Sequence, residues 1–269
     1  MLKQRVITAL ILGPAIILAV FKLQNDYLAI LFGVISLIGA WEWAVLIGLN
    51  HFIKKLIYVT LVGAMMVSIW FLLGSLQANM ILLLASLWWV AVIVLVVLYQ
   101  SSWIQTSWLQ NVLVYSGFIV LVPCWLALTL LHKHSAVMLM FFLALIWIAD
   151  IGAYFVGKRF GKIKLAAELS PGKSREGVIG ALIASIVFAC VGVYLFSIQQ
   201  SMWLYFIILC AMTAIISVVG DLYESLLKRK AGAKDSGTIL PGHGGILDRI
   251  DSLTAAAPGY LLGLNWVLL

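Results

Sequence analysis

The sequence predicts an all-α fold: a polytopic membrane helical bundle of about nine transmembrane helices, joined by basic loops. Three observations carry that expectation. Hydrophobic residues make up 64% of the 269-residue chain and charged residues 10%, where an ordinary soluble domain carries about 25% charge. The apolar residues gather in runs of about 20, the length a helix needs to cross hydrocarbon. Runs such as 80–98 lack the apolar–polar alternation of a membrane barrel strand. The same composition excludes a disordered chain, a collagen and a small disulfide scaffold.

In chain order the runs fall at 6–21, 27–47, 56–74, 80–98, 111–131, 136–157, 178–198, 202–220 and 253–269. The first and last are short, and they contain Pro14 and Pro258. Two cations precede the first run and no small-residue cleavage pattern follows it, so it reads as a retained span. Trp41, Trp43, Trp103, Trp108 and Trp203 fall near span ends, where indole rings favour the membrane interface. Cys124, Cys190 and Cys210 lie inside apolar runs without CxxC spacing and read as small buried hydrophobes.

Lysine and arginine set the orientation. With the N-terminus in the cytoplasm and nine crossings, the inner side holds Lys3, Arg5, Lys54, Lys55, six cations in 158–177 and five in 221–252. Only Lys22 and Lys133 fall outside. Fifteen against two is the positive-inside bias. The expected location is therefore the cell inner (cytoplasmic) membrane, with the loops 158–177 and 221–252 cytoplasmic. That distribution also accounts for the net charge of +7 without a nucleic-acid partner, which would need a basic face on a soluble fold.

No repeat or inverted half-symmetry is visible. Residues 1–135 hold only two acids, Asp26 and Glu42, while the other eight lie between Asp150 and Asp251. The chain divides on that basis into N-terminal transmembrane helices, 1–135, which supply walls, and a C-terminal part, 136–269, with the catalytic loops. Asp150 and Asp221 lie at the inner ends of their spans, and Asp248 and Asp251 just precede the last one. A carboxylate so close to hydrocarbon is expensive unless it is paired or functional. Asp248 and Asp251 are three apart and share a helix face. An oxygen-only acidic set beside cations suits magnesium that also holds a phosphate. The competing reading is that Arg249 and the neighbouring lysines simply pair with these acids. Glu42 reads as a buried structural acid.

The segment 225–251 concentrates further chemistry. Pro241, Gly242, Gly244 and Gly245 let the backbone turn sharply and present N–H groups at close range. Lys228, Arg229, Lys234 and Arg249 can neutralise a triphosphate. His243 suits phosphate contact, proton donation to a leaving group, or a hydrogen bond that stabilises the turn. His132 and His134, without an acid or cysteine partner, read as solvated residues of an outer loop. Tyr154 suits either the site or the membrane interface.

This segment resembles the signature of the phosphatidate cytidylyltransferase family. The blocks 150–162 and 170–177 resemble the family as well, with Gly172 where many relatives carry lysine and Ser174 where they carry threonine. The similarity of motifs covers roughly 150–252. It implies a transferase of phospholipid biosynthesis in the bilayer, joining CTP and phosphatidate into CDP-diacylglycerol and pyrophosphate. It further implies Mg2+ with a second cation, and a homodimer. On the matching positions, Asp221 and Asp248 are metal-centre residues and Asp251 joins them by spacing. Lys173, Lys228, Arg229 and Arg249 hold phosphates, while Ser170, Ser174 and Ser225 donate hydrogen bonds to phosphate oxygens. Arg175, Lys234, Gly244 and Gly245 complete the substrate-binding set, and His243 joins the catalytic one. Two alternatives stay open: a CTP-dependent polyprenol kinase-like enzyme, and an ion-coupled secondary transporter. The transporter would place its acids nearer mid-bilayer.

Overall fold

The computed structural model describes residues 2–72, 74–100, 107–240, 242 and 244–268, and all their side chains except those of 2–7, 9, 107, 108 and 268. Among the described residues there are nine long helices. They are α1 (Leu2–Lys22), α2 (Asn25–Leu46), α3 (Phe52–Leu72), α4 (Ser75–Gln100), α5 (Ser107–His134), α6 (Ala136–Phe160), α7 (Arg175–Leu195), α8 (Trp203–Lys230) and α9 (Leu247–Leu268). Seven of them, α2 to α8, are long and apolar enough to cross a membrane; the apolar part of α1, residues 10–22, is shorter. The first turns of α9 carry Asp248, Arg249 and Asp251, so its apolar part is shorter too. Large side chains such as Leu56, Val67, Leu84, Val94 and Ile183 are exposed on the bundle's flanks. Water would not tolerate that surface, and hydrocarbon does. This is a multi-pass membrane bundle.

Three boundaries differ from the sequence reading. The stretch 158–177 is not only a loop. It holds an antiparallel hairpin of β1 (Lys164–Ala166) and β2 (Ser170–Ser174), with Lys164 opposite Ser174. Strands this short escape a search tuned to 20-residue runs. Helix α8 continues ten residues past the predicted end of its span, and α9 begins before the predicted start of the last one. Only 231–246 joins the two helices. The charges at 221–230 interrupt the hydropathy, but Leu222, Tyr223, Leu226 and Leu227 keep a buried helical stripe. Lys228, Arg229 and Lys230 in the last turn complement the helix dipole.

The core explains other departures. Trp43 is buried, and its indole N–H donates to the Leu113 carbonyl at 2.9 Å. Together with Trp88 and Trp89 it surrounds Tyr223, whose hydroxyl donates to Ser116 Oγ at 2.7 Å. The N-terminal helices thereby fix α8 two residues after Asp221. Trp103 and the Trp108 side chain lie outside the described residues. His132 stands on the last turn of α5, 3.0 Å from Asn25 Oδ1 and 2.9 Å from the Val20 carbonyl. It ties α5 to the turn between α1 and α2 and is not a solvated loop residue. Cys124 and Cys210 are buried, whereas Cys190 is exposed on α7.

Where α6, α7 and α8 meet, the contact is made by Ala149, Ala153, Ala181 and Ala214. Small side chains let the helix backbones approach. Gly220 does the same between α8 and α9. A Cβ there would stand 2.5 Å from the Asp251 carbonyl oxygen and 2.8 Å from the Ala255 Cβ. This close crossing sets Asp221 beside Asp251.

Candidate active site

Asp150 from α6, Asp221 from α8, and Asp248, Arg249 and Asp251 from α9 line one cavity of about 550 Å³, walled on one side by Leu12 and Ile16 of α1. A second cavity of about 480 Å³ is lined by Asp150, Tyr154, Lys158, Lys173, Ser174 and Asp221. Asp150 and Asp221 belong to both. The two cavities therefore meet at this pair, one reached past basic side chains and the other past the apolar face of α1.

Each acid has its own surroundings. Asp221 is ion-paired to Lys173 of β2, and both are partly exposed. Asp248 accepts from Lys228 Nζ at 2.6 Å through one oxygen. Its other oxygen accepts from the N–H of Gly245 at 2.8 Å and of Ser236 at 2.9 Å. Asp248 precedes the apolar run of α9, and burial there opposes its ionisation. The Lys228 ammonium and the two backbone N–H groups outweigh that burial and hold the carboxyl below its ordinary value.

Asp251 lies within hydrogen-bonding reach of both Asp221 and Glu224. Glu224 is buried, with Lys228 Nζ 3.4 Å from one of its oxygens and no hydrogen-bond donor on either. Carboxyl groups so close to one another need a proton or a cation between them. That is the fit a hard divalent ion requires: oxygen donors only, under-supplied with hydrogen bonds. Among the described residues no three such groups are drawn into a closed ligand set. Magnesium, which takes few protein ligands alongside phosphate oxygens and water, does not need one.

The remaining predicted residues divide. Lys173, Ser174 and Arg249 stand at the cavities. Lys228 stands behind Asp248, so the pairing of these acids with lysines is real for Lys173 and Lys228. Arg229 turns to the backbone carbonyls of Leu169, at 3.2 Å, and Ala233, at 3.5 Å, clasping the hairpin to the end of α8. Ser174 Oγ accepts from the Gly177 N–H at 3.1 Å and caps α7. Ser170, Arg175, Ser225, Lys234, Gly244 and Gly245 are not among the residues lining either cavity. Gly244 and Gly245 shape the loop that wraps Asp248. Pro241 and His243 lie outside the described residues.

Two acids escaped the sequence reading of the site. Glu224 is three residues beyond Asp221 and four before Lys228, a spacing that puts all three on one helix face. Glu42 is buried in α2, yet it accepts hydrogen bonds from Ser236 Oγ at 2.9 Å, Ile246 N at 3.0 Å and Leu247 N at 2.9 Å. No local pattern announces a contact across that separation in sequence.

The chain matches the cytidylyltransferase family over residues 3–266. The phosphatidate cytidylyltransferase of Pseudomonas aeruginosa is 43% identical over 263 residues, covering 96% of this chain and 95% of that protein. That of Haemophilus influenzae is 38% identical over 278 residues, covering 96% of each. The Bacillus subtilis protein of the same name is 43% identical over 131 residues, 48% of this chain and 47% of its own. Similarity at full length, through the N-terminal helices as well as the acidic motifs, shows that the chain belongs to the cytidylyltransferase family.

Proposed function

We propose that this protein is a phosphatidate cytidylyltransferase, transferring CMP from CTP to phosphatidate and releasing pyrophosphate. The observation that carries this reading is the meeting of two unlike cavities at Asp150 and Asp221. A water-soluble triphosphate suits the side lined by Lys158 and Lys173. A lipid phosphate suits the side where Arg249 faces the hydrocarbon wall of α1.

An oxygen of the lipid phosphate attacks the α-phosphorus of CTP, a new P–O bond forms, and the bond to the β-phosphate bridging oxygen breaks. The attacking oxygen is already anionic, so no activated serine or cysteine is required. Catalysis rests on holding the two phosphates in line and offsetting their charge. Lys173 and Arg249 neutralise phosphate charge at the cavities, and Lys228 keeps Asp248 ionised and oriented. From the cluster of Asp221, Asp248, Asp251 and Glu224, one or two carboxylates would hold Mg2+ alongside phosphate oxygens, and a second cation would sit on the others. When bound, such ions would supply positive charge for the leaving pyrophosphate.

The positive-inside bias supports a site facing the cytoplasm, where CTP is found, in the cytoplasmic membrane. A homodimer belongs to the same reading through the resemblance alone. The deciding experiment incubates the purified protein in detergent with labelled CTP, Mg2+ and, separately, phosphatidate, polyprenol or polyprenyl phosphate. CDP-diacylglycerol from phosphatidate is the expected product. Phosphoryl transfer to polyprenol, or no turnover with any lipid, would overturn the reading.

A further inference from the structure

Asp248 stands at the end of a loop whose glycines give it little stiffness of its own. A carboxylate serving two phosphates must nevertheless be held to within about 0.5 Å. The support comes from the other half of the chain. Glu42 of α2 is 2% exposed. One of its oxygens accepts from Ile246 N, the other from Leu247 N and Ser236 Oγ. All three partners flank Asp248 in the fold. Ser236 Oγ is also 3.0 Å from Asp248 Oδ2, so a single hydroxyl stands between two carboxyl groups and gives its one proton to one of them at a time.

Space around Glu42 is reserved for it. A Cβ on Gly245 would collide with Ser236 Oγ and with both Glu42 carboxyl oxygens, and one on Gly237 would meet the same carboxyl. Gly245 meanwhile donates its N–H to Asp248. Loop, acid and aspartate thus form one connected hydrogen-bonded unit, anchored on a transmembrane helix.

We infer that Glu42 is a positioning residue for the proposed transfer: it fixes Ser236, Ile246 and Leu247 around Asp248, and through Ser236 and Gly245 it sets the orientation of Asp248 without touching substrate. This rests on the phosphatidate cytidylyltransferase reading above.

The test uses the full-length protein in detergent as wild type, Glu42→Gln, Ser236→Ala and the double variant. Glutamine has the same size, but its NH2 group faces at least one donor that a carboxylate would accept. The expected result for Glu42→Gln is a fall in kcat of roughly 10²-fold, the size of effect a displacement of about 1 Å produces, with KM for CTP nearly unchanged. Ser236→Ala also loses activity, and the double variant is scarcely worse than the poorer single one, because both substitutions cut the same chain of contacts. Amide exchange supplies a readout independent of turnover: Ile246 and Leu247 exchange faster in Glu42→Gln while the amides of α6 and α8 do not change. Wild-type kcat in Glu42→Gln, fully additive losses, or unchanged exchange at 246 and 247 would each overturn the inference. Should Glu42→Gln fail to fold, Ser236→Ala at wild-type kcat overturns it alone. A wild type that does not turn over CTP and phosphatidate refutes the transferase reading itself, whereas an active wild type beside an equally active Glu42→Gln refutes only the positioning role.

Discussion

Lys228 near the end of α8 places its ammonium 2.6 Å from Asp248 at the start of α9, and the same nitrogen is 3.4 Å from Glu224 one turn back along α8. One cation therefore serves two acids, and all three side chains are largely shielded from solvent. Removing one partner from such a pair strands the other in a poor solvent, at about 3–5 kcal/mol for buried cases. Lys228→Met is expected to lower the melting temperature sharply. Lys228→Met with Asp248→Asn, which leaves no uncompensated charge at Asp248, recovers part of that loss. Equal melting temperatures for the single and double variants would show that the carboxylate left at Asp248 costs the fold nothing.

Asp251 separates stability from function. It lies within reach of two other carboxyl groups, and like charges at such range repel. Such a cluster persists only with a proton or a cation among its members, and asparagine at 251 is neutral without either, so the variant is expected to melt at or above the wild-type temperature. Its turnover of CTP and phosphatidate falls by at least about 10²-fold, the scale of losing one preorganised electrostatic contact. Thermal melts and initial rates on the same preparation check both halves. A variant that keeps full activity removes Asp251 from the site.

The site was partly legible before the fold was. Asp150, Asp221, Asp248 and Asp251 stood out because ionisable groups are rare beside hydrocarbon, and the structure gathers them around one cavity. Composition was a poorer guide to Arg229, which suited phosphate by type but is turned toward two backbone carbonyls. Glu224 carried a readable signal in its spacing to Asp221 and Lys228. Glu42 carried none, since only the packing of α2 against α8 and α9 brings it to Ser236, Ile246 and Leu247. Helix boundaries failed where charge interrupted an apolar run but the buried stripe continued, as at Leu222, Tyr223, Leu226 and Leu227.

Gly220 tests whether the approach of α8 to α9 matters to the chemistry. An alanine Cβ would press on the Asp251 carbonyl and on Ala255, and overpacking of this kind costs about 1–3 kcal/mol. The strain is relieved by parting the helices, which draws Asp221 away from Asp251. Gly220→Ala is expected to lose kcat disproportionately to its drop in melting temperature. Alanine at Gly259 of α9, where a Cβ would meet only Ser86 Oγ at an ordinary 3.7 Å, is the matched control with wild-type stability. If both variants behave alike, close packing at Gly220 has no bearing on the site.

Orientation can be read from two lysines at opposite ends of the bundle. Lys133 lies on the last turn of α5, and Lys234 lies in the exposed loop that leads to α9. With Cys190 replaced by serine, since it is the exposed native thiol, Lys133→Cys and Lys234→Cys each present one accessible thiol. A membrane-impermeant maleimide applied to intact cells stripped of their outer barrier should label residue 133 at once. It should reach residue 234 only after the membrane is permeabilised. The reversed pattern would turn the acidic cavities away from the compartment that holds CTP, and no arrangement of Asp221, Asp248 and Asp251 could then meet the nucleotide.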